Sequence, residues 1–212
     1  MTSVAPLSTD IGGITVPGDD VSLAVWKWAN RSLPTYLLNH SVRSFCWGAT
    51  IAGRERWPFD RSILWAAALI HDFGLTRLAA NTMCFEVEGA EIARRLLEGW
   101  GMPSAAADRV AIAIILHMQP SVTLDDGVES VLLDRATAID VRGDGYEQIE
   151  AVAPGVVSQF PRGAFDRLFL AAVSREAATR PSCQSARLVH DNDLAAWMVR
   201  SPWSASRNGS PR

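Results

Sequence analysis

The sequence predicts an all-α helical bundle with a metal site in its core, and three observations carry that prediction. Apolar residues recur at helical spacing through most of the chain, while alternating strand-type patterns are scarce. The periodic segments are bounded by Asp, Ser, Pro and Gly, where caps and stops belong. Polar residues able to hold a metal fall one per segment within otherwise apolar faces. A chain of 212 residues, 48% hydrophobic and 20% charged, has material for one domain with a substantial core.

Residues 1–18, rich in Ser, Thr, Pro and Gly, are expected to form a flexible arm. The helical domain is expected over 19–200, with about seven helices, and a flexible tail over 201–212. Asp19 and Asp20 can cap a helix over "VSLAVWKWANRSL", which Pro34 ends. A second helix, "TYLLNHSVRSFCWGATIAG", runs to Gly53. Asp60 or Ser62 caps a third, through Ile70. "EVEGAEIARRLLEGWG" ends at Gly101, and "PSAAADRVAIAIILHMQP" begins at Pro103 with Ser104 as cap and stops before Pro120. "TLDDGVESVLLDRATAIDVRGDG" starts acidic, as the helix dipole prefers, and ends at Gly143. "PRGAFDRLFLAAVSREAATR" and the shorter "DNDLAAWMVRS" complete the set.

Composition excludes several functions. A net charge of −3 and a pI near 5.8 provide no field for nucleic acid. The longest apolar run, Ile63 to Ile70, falls far short of the roughly 20 residues that span a bilayer. The N-terminus lacks the basic and apolar regions of a secretory signal, so a cytoplasmic, soluble protein is expected. Cys46, Cys84 and Cys183 are odd in number and far apart, which indicates neither a zinc ribbon nor a disulfide framework.

The stretch "ILWAAALIHDFGLT" poses the functional question, because it sets His71 and Asp72 at the end of the most hydrophobic run. Two readings stand open there: a helix end with a C-terminal imidazole and Gly74 closing the turn, or a metal site. Three other polar residues sharpen it. His40 shares a helix face with Trp47 and Ile51, and His117 shares one with Val110, Ala113 and Ile114. Asp140 follows Leu133, Ala136 and Thr137 on an inward face, as His71 follows Leu64, Ala67 and Ala68. Several buried polar groups on successive helices are costly without a common partner. Neutral imidazoles and carboxylates together suit Zn²⁺, Fe²⁺ or Mn²⁺.

His40, His71-Asp72 and Asp140 together resemble the H…HD…D signature of the HD-domain superfamily of metal-dependent hydrolases. A narrower resemblance is to cyanamide hydratase-like HD proteins. It rests on "LPTYLLNHSVRSFCWG", "LIHDFGLT", "CFEVEGAEIAR" and "AIILHMQP", in that order. The resemblance implies one divalent ion, zinc first, held by His40, His71, Asp72 and Asp140. It also implies a small-molecule substrate, with water added to the nitrile carbon of cyanamide to give urea. Addition to a nitrile needs a proton at nitrogen, so an acid–base group must accompany the metal. His117, alone among histidines between the HD pair and Asp140, is the candidate, with Asp72 beside it. That single histidine favours one metal over two.

Around the ligands, Asn39 and Ser41 can hold His40 or bond backbone. Asn39, Arg43 and Glu86 are the candidates for substrate binding, and an Arg43–Glu86 ion pair is the structural alternative. His190, in "RLVHDND", reads as surface or helix cap, and Phe85 and the tryptophans as core packing. The competing reading is an HD phosphohydrolase acting on a nucleotide or other phosphate ester, for which Arg43, Arg77 and the arginine pair at 94–95 are available. A non-catalytic scaffold is a third, disfavoured because all four ligand positions are intact. Close relatives suggest a homo-oligomer, for which the eight tryptophans leave room.

Overall fold

A computed structural model describes residues 8–76 and 83–205 of the chain. Helix α1 (Asp20–Ser32) starts at Asp19, whose carboxylate accepts from the backbone N–H and hydroxyl of Ser22. Pro34 turns the chain into α2 (Thr35–Glu55), the longest helix and the centre of the bundle. Asp60 caps α3 (Arg61–Ile70), accepting from the N–H groups of Ser62 and Ile63. Every α3 residue from Ile63 to Ile70 is buried, as befits a segment that is apolar all round.

Helices α4 (Phe85–Gly99) and α5 (Ser104–Leu116) pair across a short connection, and α5 lies on α3 and on α6 (Val128–Arg142). The short α7 (Ala153–Gln159) precedes α8 (Phe165–Thr179), which packs on α2 and pairs with α9 (Gln184–His190). Helix α10 (Leu194–Arg200) and α11 (Pro202–Ala205) close the described chain. The packing of α2 on α3, α6 and α8 decides the site, because these helices carry or bracket its polar residues.

Several expectations need correcting. The described residues hold eleven α-helices, against about seven expected; α7, α9 and α11 are too short to carry a convincing period. Gly127, at φ 96°, breaks the segment expected to be one helix into a 3₁₀ turn over Leu124–Asp126 and α6. Only a residue without Cβ takes that conformation freely, so the break is fixed by the glycine. Ser104 is the first helical residue, with Pro103 as cap.

The expected flexible arm carries a small hairpin, β1 (Asp10–Ile11) with β2 (Ile14–Thr15), whose Ile11 is fully buried. The expected tail packs as well: Trp203 is buried, stacks on Trp47 and donates its indole N–H to the carbonyl of Ile139 at 2.7 Å. Residues 1–7, 206–212 and the candidate cation Arg77 lie outside the described residues.

The cysteine reading is also overturned. Cys84 and Cys183, 99 residues apart, form a disulfide that ties the start of α4 to the start of α9. Cysteine spacing gave no hint of it, because the partners meet only once α8 and α9 have folded back. Such bonds are uncommon in a reducing cytosol, which weighs against the cytoplasmic expectation. No helix among the described residues is long and apolar enough to cross a membrane.

Candidate metal centre

The end of α3 is both things that the sequence left open. His71 caps the helix, and its Nδ1 donates to the carbonyl of Ala68 at 2.8 Å. Asp72 then leads into a 3₁₀ turn over Phe73–Leu75. Gly74 lets this turn press against the start of α4: a Cβ there would collide with the Phe85 carbonyl. The close approach holds Asp72 and His71 facing inward.

Opposite them stands His40, in the second turn of α2 and 1% exposed. Its Nδ1 meets Asp140 Oδ2 of α6 at 2.7 Å. The Asp140 carboxylate is itself clamped. Arg43 donates to both oxygens, Nε to Oδ1 at 2.9 Å and a terminal nitrogen to Oδ2 at 2.8 Å. The Trp47 indole N–H donates to Oδ1 at 2.8 Å, and Arg162 lies 3.4 Å from Oδ2. Burial opposes charge on Asp140, but Arg43 and Arg162 hold its carboxyl well below the usual carboxylate range. A charged acceptor fixes Nδ1 of His40 as the protonated nitrogen, and the backbone carbonyl does the same for His71.

Both Nε2 atoms therefore present lone pairs, and they point at each other across 3.2 Å. Asp72 Oδ2 completes the triangle, 3.2 Å from His71 Nε2 and 3.4 Å from His40 Nε2. Two lone pairs and a carboxylate oxygen repel one another, and Asp72 Oδ2 is buried without a hydrogen-bond partner among the described residues. A cation shared by all three would remove the conflict. Ligands at the usual zinc distances stand roughly 3.3 Å apart at the edge of a tetrahedron, which these spacings fit. The pKa directions differ between the two histidines. Burial disfavours the charged ring at both histidines, and holds His40 below its ordinary value. At His71 the adjacent Asp72 more than offsets burial and raises the pKa.

His117 caps α5 as His71 caps α3, with its Nδ1 turned to the Ile114 carbonyl. Its ring lies 4.9 Å from that of His71, centroid to centroid, and outside the three-ligand cluster. Burial lowers its pKa to about 4. With Nδ1 engaged, Nε2 is the nitrogen left for the cavity that His117 lines. That cavity, of about 400 Å³, has His40, His71 and Asp72 among its walls and runs outward between α6 and α9.

The remaining expectations fare differently. Asp140 reaches the centre but stands behind His40: its oxygens are taken by Arg43, Trp47 and His40, and it lies outside the ligand triangle. The expected fourth ligand thus stands as a carboxylate bonded to His40 and Arg43, a position from which it can orient His40. Arg43 is not available to substrate, being 0% exposed with its donors spent on Asp140 and on the carbonyls of Phe160 and Pro161. For the same reason it forms no pair with Glu86. Glu86 is buried, its Oε2 has no partner among the described residues, and burial, then Glu176, raises its pKa. Neither Glu86 nor Asn39 lines the cavity; Asn39 donates to the Pro161 carbonyl at 2.9 Å. His190 is exposed at the end of α9, as read.

Trp47 and Arg162 were missed as holders of Asp140. Trp47 had a signal, two turns after His40 on one face; Arg162, in the α7–α8 connection, had none. Phe85, read as core, also lines the cavity.

Removing the arginine clamp should be costly. Arg43→Met is expected to lower unfolding free energy by about 3–5 kcal/mol, because Asp140 keeps a buried charge that has lost its main partner. Urea denaturation checks it, and adding Asp140→Asn should recover a good part of the loss. A loss below about 1 kcal/mol would mean that the clamp is not what holds Asp140 ionised.

The family model described as HD domain matches residues 37–193. Two curated proteins of Saccharomyces cerevisiae are similar, the cyanamide hydratases DDI2 and DDI3. Each is 28% identical over 171 residues, spanning 78% of this chain and 76% of the relative.

Proposed function

The chain belongs to the HD domain family, and from that premise we propose that it is a metal-dependent hydratase of small nitrile-like molecules, with cyanamide as the first candidate. The observation that carries this reading is the triangle of His40, His71 and Asp72 in the wall of a cavity that Arg142 and Arg187 also line, the former engaged by Trp197 and Asp144. Arg43, the nearest guanidinium by sequence, is sealed behind His40. Arg94 and Arg95 are exposed and paired with Asp108 and Glu91. Recognition of a phosphate ester needs donors of that kind near the reacting atom.

A divalent ion held by the triangle, zinc being the candidate, supplies Lewis acidity and lowers the pKa of water to about 7. The protein's own groups supply the rest. Asp140, fixed by Arg43 and Trp47, keeps His40 in the tautomer that aims Nε2 at the centre. Hydration of a nitrile sends the water oxygen to carbon and both its protons to nitrogen, the first on addition and the second as the imidic acid becomes the amide, with no net proton consumed. His117 can carry the first proton: Nε2 accepts it from water and returns it to the nitrile nitrogen, while the Ile114 carbonyl steadies Nδ1. Phe85 and Phe169, on the cavity wall, limit the water around the reacting group.

The test is direct. Metal-loaded protein incubated with cyanamide should form urea, and should release little phosphate from nucleoside monophosphates. Phosphate release without urea formation would replace this reading with the phosphohydrolase.

A further inference from the structure

Cyanamide has three non-hydrogen atoms and a bulk of about two waters, roughly 60 Å³ at about 30 Å³ each. The cavity of about 400 Å³ is several times larger, within the range that takes an extended ligand. Its outer half is built chiefly from α6 and α9. Along α6, Asp134, Thr137, Ala138 and Val141 form one stripe on the cavity wall, at the spacing of a single helix face. Asp134 lies six residues before Asp140, so it stands about 9 Å further along the helix axis than the level of His40.

Asp134 is half-buried, and its carboxylate has no hydrogen bond or ion pair among the described residues. The two arginines that influence it are committed elsewhere. Arg135 stacks its guanidinium on Trp57, 5.1 Å from the ring centre. Arg142 stacks on Trp197 at 5.0 Å and donates to Asp144 at 2.7 Å. Neither arginine bonds Asp134, although Arg142 and Arg187 line the same cavity; the charges of Arg142 and Arg135 offset only part of the cost of burial, and the carboxyl is pushed up to about 6. A wall carboxylate without a protein partner leaves a place for a donor brought by the ligand.

We propose that the outer cavity is a subsite for an amine, and that the natural substrate is an aminoalkyl nitrile or N-substituted cyanamide whose ammonium group meets Asp134. The nitrile end reaches the metal triangle while the chain lies along the α6 stripe. This assignment rests on the hydratase reading of the cavity floor, but its binding half does not need turnover. An added ammonium on Asp134 gains a charge-assisted hydrogen bond, which is worth about 10- to 100-fold in affinity.

Two nearly isosteric probes separate the cases: γ-aminobutyronitrile and valeronitrile, which differ at the far end of the chain. On the metal-loaded protein, calorimetry is expected to show the aminated nitrile binding at least about tenfold tighter. Asp134→Asn should collapse that preference toward unity. In turnover, the same preference should appear in kcat/KM. Equal binding of the two probes by wild type, or a preference that survives in Asp134→Asn, would overturn the subsite. The wild-type comparison needs no variant, so poor folding of Asp134→Asn leaves it decisive. If the aminated probe is preferred through Asp134 but no nitrile is hydrated, the subsite stands and the hydratase reading falls.

Discussion

His71→Ala and Asp72→Ala are each expected to release most of the bound metal and to reduce turnover to background, while circular dichroism stays helical. The chain offers three ligand atoms in one triangle, so losing one leaves two, below the three that a catalytic zinc site usually keeps. The effect should exceed that of disturbing the support. Asp140→Asn, which loosens His40 without deleting it, is expected to weaken metal binding by about 10- to 100-fold. Elemental analysis of the three purified variants orders them. Wild-type metal content in both His71→Ala and Asp72→Ala would remove the triangle as the metal site. Apart from the ion, neither substitution should unfold the bundle, since each relieves the crowding of lone pairs at the centre.

Much of this centre was legible in the chain because its polar residues interrupt strong periodic patterns. His40 and Asp140 each occupy an inward helix position that an apolar residue would otherwise fill. His71 and His117 end their helices, so both are marked by a cap as well as a face. What could not be read was the order of contact. Asp140 and Asp72 could not be ranked from the sequence, both being carboxylates set within strongly apolar stretches. Only the Arg43 fork and the Trp47 indole decide that Asp140 orients His40 while Asp72 faces the other ligands. Arg43 misled for a related reason. An arginine one turn after a ligand looks like a substrate contact until the α2–α6 packing seals it. Asp134, in contrast, lay inside a recognised helix with nothing local to set it apart. Stacking of Arg135 on Trp57 and Arg142 on Trp197 joins residues far apart in sequence, so no local pattern reports it.

His117→Ala is expected to keep near-normal metal content and to lose about 10²- to 10⁴-fold in kcat, the usual contribution of a positioned acid–base group. The geometry supports this outcome over two others. Were His117 a ligand, its ring nitrogen would belong to the triangle, but the close cluster comprises His40, His71 and Asp72 alone among the described residues. Metal and activity would then fall together. Were it only a core residue, its truncation would lower stability and leave activity per folded molecule close to wild type. Against that, the ring lines the cavity, and its Nδ1 is held by Ile114 so that Nε2 is left for substrate. His117→Gln adds a further separation. Its amide can donate a hydrogen bond but cannot take up a proton, so it should restore the packing and leave most of the activity missing. Metal content, melting temperature and kcat measured on these two variants assign His117 to one role. A His117→Gln protein with nearly full activity would show that proton transfer runs through another group or through water.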